Sequence, residues 1–228
     1  MAKSRLLHPR RNLDGRSSAP RFVLASGSPR RRELLEAAGY EFEVVSPPVE
    51  EVSHGWFTIR ELTVCNATRK AWRVARTLPN AVILGADTLV AIDGHIIGKP
   101  ADLEEARLIL RRLSGRSHLV WTAICICHLA LGKSLSLSSV SQVEFHDLTD
   151  RAIKSYLAKI DPLDKAGAYA AQGHGREIIK RIDGSYSNVV GLPMETTARI
   201  LRAFGITSRA KTTSPSPARV WGKFATAR

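Results

Sequence analysis

The stretch Leu-Ala-Ser-Gly-Ser-Pro-Arg-Arg-Arg-Glu-Leu-Leu, residues 24–35, constrains this chain more than any other. Residues 22–24 form a short apolar run that predicts a buried strand. The small residues 26–28 interrupt that run, and Pro29 suits the first position of a helix because its fixed φ and missing N–H are harmless there. The pattern predicts a strand, a small-residue loop and a helix with three arginines in its first turn.

These arginines, Arg30, Arg31 and Arg32, lie at the end of the predicted helix where the helix dipole disfavours cations. The first backbone N–H groups of a helix are also unpaired, and helix N-termini bind phosphate readily. An anion at this position would offset the repulsion and occupy the N–H groups. The first turn therefore predicts a phosphate site, with a solvated basic face as the alternative.

The positive charge of the chain is concentrated at its two ends. The formal net charge is +13; residues 1–21 and 208–228 carry +5 each, which leaves +3 for residues 22–207. Both ends lack a sustained hydrophobic period and contain Ser, Pro and basic residues, which predicts disorder. We expect a disordered basic N-terminal extension over 1–21, one folded domain over 22–207 and a disordered basic tail over 208–228.

The apolar runs indicate whether the chain can cross a membrane, and the cysteines indicate its redox compartment. No apolar run reaches the roughly 18 residues that a transmembrane helix needs. The three cysteines, Cys65, Cys125 and Cys127, are an odd number without framework spacing, which fits a reducing compartment. We therefore expect a cytoplasmic protein without membrane contact, with Cys125 and Cys127 buried on one face of a strand.

Hydrophobic periodicity predicts further strands and helices. Strands are expected over residues 41–45, 81–86 with an extended continuation to 92, 117–130, 134–145 and 178–182, and Asp93-Gly94 predicts a hairpin turn. Helices are expected over residues 58–78, 102–113, 149–159 and 193–204. Leu103, Ala106, Leu110 and Leu113 form the predicted inward face of the second of these helices. Residues 161–173, with a short turn, and 184–193 are expected to be loops.

Several polar features suit phosphate chemistry. Carboxylates at strand or loop ends can hold a hard cation such as Mg²⁺, lysines in glycine-containing loops match polyphosphate charge, and small-residue loops allow close backbone approach. The charged residues concerned are Arg30, Arg31, Glu50, Glu51, Asp87, Lys99 and Lys165. Walker and Rossmann glycine patterns are absent from the sequence. Together these features predict phosphoanhydride chemistry on a nucleotide.

Eight segments also carry a family resemblance. They are residues 24–31, 50–51, 69–71, 85–88, 98–100, 113–116, 164–169 and 184–193. In this order they resemble the Maf family of nucleoside triphosphate pyrophosphatases, over about residues 22–204. One such segment would be weak evidence for the family, whereas eight segments in the family's order are highly specific evidence.

The resemblance implies an α/β fold with a mixed sheet, shared with the inosine triphosphate pyrophosphatases, in which two lobes flank a cleft. It makes residues 22–207 a Maf-like catalytic domain that hydrolyses a nucleoside triphosphate to the monophosphate and pyrophosphate. A divalent metal cation, Mg²⁺ or Mn²⁺, is the implied cofactor. Asp87 matches the proton acceptor of the family; a strand-end carboxylate can hold a water directly or through a metal. A turn-forming aspartate is the alternative.

Further roles follow from the same resemblance. Glu51, with Glu50 as the alternative, is the expected metal ligand beside Asp87, and a solvated acidic loop is the other interpretation. The residues expected to bind phosphate are Ser26, Ser28, Arg31, Lys70, Lys99 and Lys165. The serines are alternatively helix caps and the lysines surface residues. Glu50 replaces an aspartate often seen in the family, which weakens the metal assignment.

Substrate preference rests on Arg30, Thr88 and Gln172, which match the specificity residues of the dTTP/UTP branch. The amide of Gln172 both donates and accepts hydrogen bonds, which suits a pyrimidine edge. We expect a house-cleaning enzyme for dTTP, UTP and modified pyrimidine nucleotides.

Two alternative functions are open. One is a 7-methyl-GTP pyrophosphatase of the sister branch. The other, suggested by the basic charge and the family's association with cell-division arrest, is a nucleic-acid-binding or septum-regulating protein. Any nucleic-acid binding is expected at the tails rather than at the core, and a homodimer is plausible by resemblance.

Overall fold

The computed structural model describes residues 20–52 and 57–209. The strands are β1 Phe22–Ala25, β2 Glu43–Val44, β3 Val82–Ile92, β4 His95–Ile97, β5 Ser117–His128, β6 Lys133–Phe145 and β7 Ile179–Asp183. The helices are α1 Pro29–Ala37, α2 Ile59–Ala75, α3 Leu103–Leu113, α4 Asp150–Leu157, α5 Tyr186–Val190 and α6 Met194–Ala203. The expected disordered ends, apart from residues 20, 21, 208 and 209, lie outside the described residues.

The described strands form one seven-stranded sheet of order β2-β1-β3-β5-β6-β7, with β4 paired to the end of β3. β1 runs parallel to both β2 and β3, whereas β3, β5, β6 and β7 pair antiparallel in turn. This arrangement confirms the α/β fold with a mixed sheet. None of the described helices has the length and apolar character needed to cross a membrane.

Strand β3 determines where the polar residues meet. Its pairing with β1 ends at Ala25 opposite Gly85, while its pairing with β5 continues to Ala91. Asp87 therefore lies in the middle of one continuous strand, and the prediction that it follows a strand end was wrong. Because β1 stops earlier than β3, the loop after β1 lies beside Asp87.

Hydrophobic side chains cover both faces of the sheet. On one face α2 packs through Ala67, Ala71 and Val74 against the strands. Cys125 and Cys127 are buried in this cluster, as predicted. On the other face a larger cluster joins β1, β3, β5 and β6 to residues of α1, α3, α4 and α6.

Helix ends explain several boundaries and two wrong predictions. The Thr58 side chain and Glu61 form a reciprocal capping box at the start of α2. Asp102 caps α3, and Leu103 at its first position is 60% exposed, so its predicted burial was wrong. The predicted loop over 184–193 contains α5, which begins because the Ser185 side chain accepts from the backbone N–H of Asn188.

Candidate active site

A polar cavity of about 440 Å³ opens where the β1–α1 loop, β3 and the segment 164–171 meet. Most of the predicted site residues line it: Ser26, Ser28, Arg30, Arg31, Glu51, Lys70, Asp87, Thr88, Lys99 and Lys165. Glu50 and Gln172 are not among the lining residues. Side chains that are far apart in the sequence therefore converge on one cavity.

The β1–α1 loop presents two serine hydroxyls to this cavity. Oγ of Ser26 accepts from the backbone N–H of Ser28 at 3.3 Å. Ser28 is the N-cap residue of α1, yet its side chain makes no capping hydrogen bond. Pro29 follows at the start of the helix, and the first turn contains no acidic residue. The geometry does not support side-chain capping by Ser28 and leaves its hydroxyl free of that role.

Arg31 is a buried cation at the base of the loop. Its Nε donates to the carbonyl oxygen of Gly191 at 2.9 Å, its Nη1 to Ser26 Oγ at 2.9 Å and its Nη2 to Thr88 Oγ1 at 3.1 Å. Burial lowers the pKa of Arg31, a shift that the charge of Asp87 opposes. Since these three acceptors are neutral and a guanidinium has five N–H donors, Arg31 is suited to an additional anionic partner.

Arg30 and Lys165 share one carboxylate across the cavity. Arg30 Nη1 lies 2.8 Å from Asp164 Oδ2, and Lys165 Nζ contacts the other oxygen of Asp164. Burial would raise the pKa of Asp164, but its hydrogen bonds with Lys165 and Arg30 outweigh burial and hold the pKa below its ordinary value. Two cations for one carboxylate leave this side of the cavity positive.

Asp87 is the most buried carboxylate of the cavity, with 3% exposure. Lys70 Nζ donates to Asp87 Oδ1 at 2.7 Å and to Glu51 Oε1 at 2.5 Å. The Lys70 side chain is only 13% exposed, which excludes the surface-lysine alternative for this residue. One ammonium group therefore holds two carboxylates close together.

The ionisation of Glu51 depends on its cationic neighbours. Burial would raise the pKa of Glu51, but the hydrogen bond and charge of Lys70, with the charges of Lys99 and Arg31, lower it below its ordinary value. Glu51 is therefore an anion at neutral pH. Glu50 is exposed and does not line the cavity, and its backbone carbonyl accepts from Arg69 at 3.4 Å. Of the two acidic residues, the geometry favours Glu51 beside Asp87.

The specificity residues predicted from the resemblance occupy different places. Thr88 Oγ1 lies 3.0 Å from Thr122 Oγ1 and accepts from Arg31, so its hydroxyl is fixed at the cavity wall. Gln172 lies just beyond the lining residue Ala171, and its amide lies 3.4 Å from Glu33 Oε2. The structure brings Arg30 and Thr88 to the cavity and leaves Gln172 outside its lining.

One buried residue at this site escaped the reasoning from the sequence. Asn66 of α2 is 1% exposed and contacts both Asp87 and the backbone of Val52. The sequence does indicate it: the asparagine lies one helical turn after Leu62 and one turn before Lys70. An amide at this position is unexpected, because this side of the helix needs apolar residues.

The fold and the site define a mixed α/β protein in which one strand-borne carboxylate and several cations face the same polar cavity. The chain belongs to the Maf family, because the family model described as "Maf-like protein" matches residues 21–204. This match covers the β1–α1 loop, the acidic residues 50 and 51, and every strand of the sheet.

Relatives of known name are similar over most of this chain. A dTTP/UTP pyrophosphatase of Akkermansia muciniphila is 44% identical over 186 residues, which cover 82% of this chain and 97% of the relative. One of Pelotomaculum thermopropionicum is 43% identical and covers 81% of this chain and 96% of the relative. A solved HAM1 protein from Coxiella burnetii matches 55% of this chain and 73% of that chain at 21% identity, with a TM-score of 0.38.

Proposed function

We propose that this protein is a nucleoside triphosphate pyrophosphatase that hydrolyses dTTP and UTP to the monophosphate and pyrophosphate, with a house-cleaning role that extends to modified pyrimidine nucleotides. The observation that carries the proposal is the cavity in which buried Asp87 faces the cations Arg31, Lys70 and Lys165. The named relatives, at 40–44% identity, support the reaction and the pyrimidine preference.

Asp87 acts as the proton acceptor in this proposal. A water held by its carboxylate gives up a proton to it while the water oxygen attacks phosphorus. The bond between the α- and β-phosphates breaks, and its electron pair leaves with pyrophosphate. Lys70 orients the Asp87 carboxylate through the 2.7 Å hydrogen bond.

The cations around the cavity take the triphosphate. Arg31 has N–H donors beyond its three protein bonds, and Lys99 and Lys165 lie in loops at the cavity. Preorganised cations stabilise the charge that develops on the leaving pyrophosphate, which is the main electrostatic contribution expected here. Ser26 and Ser28 are placed to donate hydrogen bonds to phosphate oxygens.

Glu51 and Asp87 fit a divalent metal cation. Mg²⁺ prefers oxygen ligands and is commonly held by one or two carboxylates together with substrate phosphates and water. Both carboxylates contact the same Lys70 Nζ, at 2.5 Å and 2.7 Å, so they are neighbours in the cavity. When bound, Mg²⁺ or Mn²⁺ would neutralise phosphate charge as a Lewis acid.

Base selection is assigned to Arg30, Thr88 and Gln172. Arg30 and Thr88 line the cavity. The 3.4 Å contact of Gln172 with Glu33 is at the long limit of a hydrogen bond, so a pyrimidine edge can replace it at small cost.

A nucleotide panel with Mg²⁺ or Mn²⁺ tests this proposal through pyrophosphate release. We expect release from dTTP and UTP, and we expect Asp87→Asn to lower kcat at least about 100-fold with an unchanged circular dichroism spectrum. Release from 7-methyl-GTP alone would assign the protein to the sister activity. Full activity of Asp87→Asn would refute the role of Asp87.

Cytoplasmic location, a homodimer and nucleic-acid binding by the ends stay predictions. Deleting residues 1–20 and 208–228 separates the last of these from hydrolysis. If nucleic-acid binding is lost and dTTP hydrolysis persists, the ends have an accessory role. Binding by the ends to phosphates would also weaken steeply with salt.

A further inference from the structure

Asn66 carries a set of hydrogen bonds that leads away from its own helix. Its Oδ1 accepts from the backbone N–H of Val52 at 2.9 Å, and its Nδ2 donates to the carbonyl oxygen of Val52 at 3.0 Å. Nδ2 also donates to Asp87 Oδ2 at 3.3 Å. Both N–H donors of the amide and its oxygen are therefore used, and every partner belongs to the acidic loop, residues 49–52, or to Asp87.

Asn66 and Lys70 act on the same two partners from successive turns of α2. Lys70 donates to Asp87 Oδ1 and to the Glu51 side chain, while Asn66 donates to Asp87 Oδ2 and holds the backbone of the next residue, Val52. Each oxygen of Asp87 thus has one donor from α2. The acidic loop is fixed to the same helix by its side chain and by its backbone.

A structural role alone does not explain this pattern. Asparagine is a weak helix former, and burying an amide is costly unless its hydrogen bonds are made. Thr63, one turn earlier and equally buried, shows the ordinary solution because its hydroxyl donates to Ile59 O of its own helix at 2.5 Å. Asn66 instead makes all its side-chain hydrogen bonds with Asp87 and with the backbone of the acidic loop.

We propose that Asn66 is a positioning residue that sets the acidic loop in register with Asp87 and so brings the carboxylates of Glu51 and Asp87 together. This inference rests on the proposed function for its catalytic consequence. Its geometric content, a loop held to α2 by one buried amide, is independent of the substrate. Groups that orient metal ligands typically contribute 10- to 100-fold in metal affinity or activity.

The test replaces Asn66 with leucine, which removes the amide and excludes water from its place. We expect amide hydrogen exchange in a peptide spanning residues 50–52 to rise about tenfold or more, since Val52 loses its acceptor. The Mn²⁺ dissociation constant, measured by electron paramagnetic resonance without nucleotide, should rise at least about tenfold. The kcat for dTTP should fall about 10- to 100-fold with little change in KM, because the phosphate-binding cations are untouched.

Thr63→Val is the matched control on the same helix. It removes a buried hydroxyl whose hydrogen bond goes to the carbonyl oxygen of Ile59 in its own helix, so loop exchange, Mn²⁺ affinity and kcat should stay at wild-type values. Asn66→Ala, which adds no bulk, serves if Asn66→Leu does not fold, with the same expected changes. Wild-type exchange and Mn²⁺ affinity in the Asn66 variants, or equal losses in Thr63→Val, would overturn the inference.

The readouts separate failure of this inference from failure of the proposed function. Hydrogen exchange needs neither metal nor nucleotide, and Mn²⁺ binding needs no nucleotide. A wild-type protein that shows both Asn66 effects and releases no pyrophosphate from the panel would refute the proposed function and support the role of Asn66. If the wild-type protein is active and the Asn66 variants keep wild-type hydrogen exchange and Mn²⁺ affinity, the proposed function is supported and the role of Asn66 is refuted.

Discussion

At the scale of single residues, Lys70 determines the electrostatics of the cavity. Its ammonium group lies 2.5 Å from Glu51 and 2.7 Å from Asp87, and its side chain is mostly buried. Ion pairs at exposed surfaces contribute little because water screens them. Here Lys70 is mostly buried while the Glu51 side chain is 42% exposed, so screening is only partly reduced. Among the neighbours of Glu51, Lys70 lowers its pKa most.

Replacing Lys70 with methionine should therefore raise the pKa of Glu51. Burial, which by itself raises this pKa, would remain, while the hydrogen bond and the nearest positive charge would be lost. We expect the pKa to rise, although the charges of Lys99 and Arg31 continue to lower it. Carboxyl ¹³C NMR titration measures it, with the Glu51 resonance assigned from a Glu51→Gln variant.

Lys99→Met is the matched comparison for that titration. Lys99 lowers the pKa of Glu51 through charge alone, without a hydrogen bond, so its removal should give a smaller increase than Lys70→Met. Equal shifts in the two variants would contradict the dominant role assigned to the Lys70 hydrogen bond.

The placement of residues at the cavity was predictable from the sequence only where a motif indicated it. Asp87 and the β1–α1 serines belong to segments with a family pattern, and the structure places them in the cavity. Asn66 has no such pattern; its contact with Val52 depends on how α2 lies against β3. The position of the Gln172 amide depends on a side-chain rotamer that directs it to Glu33. Hydrophobic periodicity does not predict such a rotamer.

At the scale of elements, the packing of α2 on β3 depends on Gly85. A Cβ added at Gly85 would lie 2.4 Å from the carbonyl oxygen of Ala67 and 2.7 Å from the backbone nitrogen of Ala71. Both atoms belong to the α2 backbone, which cannot rotate away as a side chain can. Gly85 therefore permits the close approach that brings Asn66 and Lys70 to Asp87, two residues further along β3.

Gly85→Ala should both destabilise the protein and impair hydrolysis. Overpacking of this kind costs about 1–3 kcal/mol, and a displaced α2 would move Asn66 and Lys70 relative to Asp87. Urea denaturation measures the free energy of unfolding, and pyrophosphate release from dTTP measures the site. We expect a loss of about 2 kcal/mol and a fall in kcat of at least about tenfold.

Gly98→Ala is the control for that measurement. An added Cβ at Gly98 meets no atom within 4 Å, and its φ lies outside the positive range that disfavours other residues. Its free energy of unfolding should change by less than about 1 kcal/mol. If Gly85→Ala has the wild-type free energy of unfolding, α2 can move away from β3 without loss of stability. Close packing would then not explain why a glycine is at position 85.

Most elements were predictable because their burial is periodic. The long strands β3, β5 and β6 and the helices α2, α3 and α6 match the predicted segments to within a few residues. α5 was missed since five residues are too few for a helical period, and only the Ser185 cap indicates it. Leu103 was misplaced because a residue at the first position of a helix does not have to follow the buried face.

At the scale of the whole molecule, an aromatic cluster links the sheet to the cavity. Nε2 of His118 on β5 lies 2.8 Å from the hydroxyl of Tyr169, which lines the cavity. Phe145 of β6 packs edge-on against both rings. Nδ1 of His118 is buried and has no hydrogen-bond partner among the described residues. The neutral imidazole therefore suits this position, and a protonated one does not.

This cluster predicts a specific dependence of stability on pH. Burial lowers the pKa of His118 from 6.5 to about 4 in the folded protein. Between these pH values the imidazole of His118 binds a proton in the unfolded chain but not in the folded protein. The contribution of His118 to the free energy of unfolding is therefore fully present above pH 6.5 and falls as the pH decreases. The loss due to His118 between pH 7.5 and pH 5 should be about 2 kcal/mol.

Urea unfolding of the wild type and of His118→Gln at pH 7.5, 6 and 5 measures this loss. The glutamine amide can still hydrogen-bond to the Tyr169 hydroxyl but does not titrate, while the other ionisable groups are the same in both proteins. The wild type should lose about 2 kcal/mol more than the variant over this range, and most of the difference should arise below pH 6.5. Parallel pH dependence in the two proteins would mean that His118 accepts a proton in the folded state. The ring would then have to find a partner for Nδ1, and the contact between β5 and Tyr169 would have to rearrange to provide it.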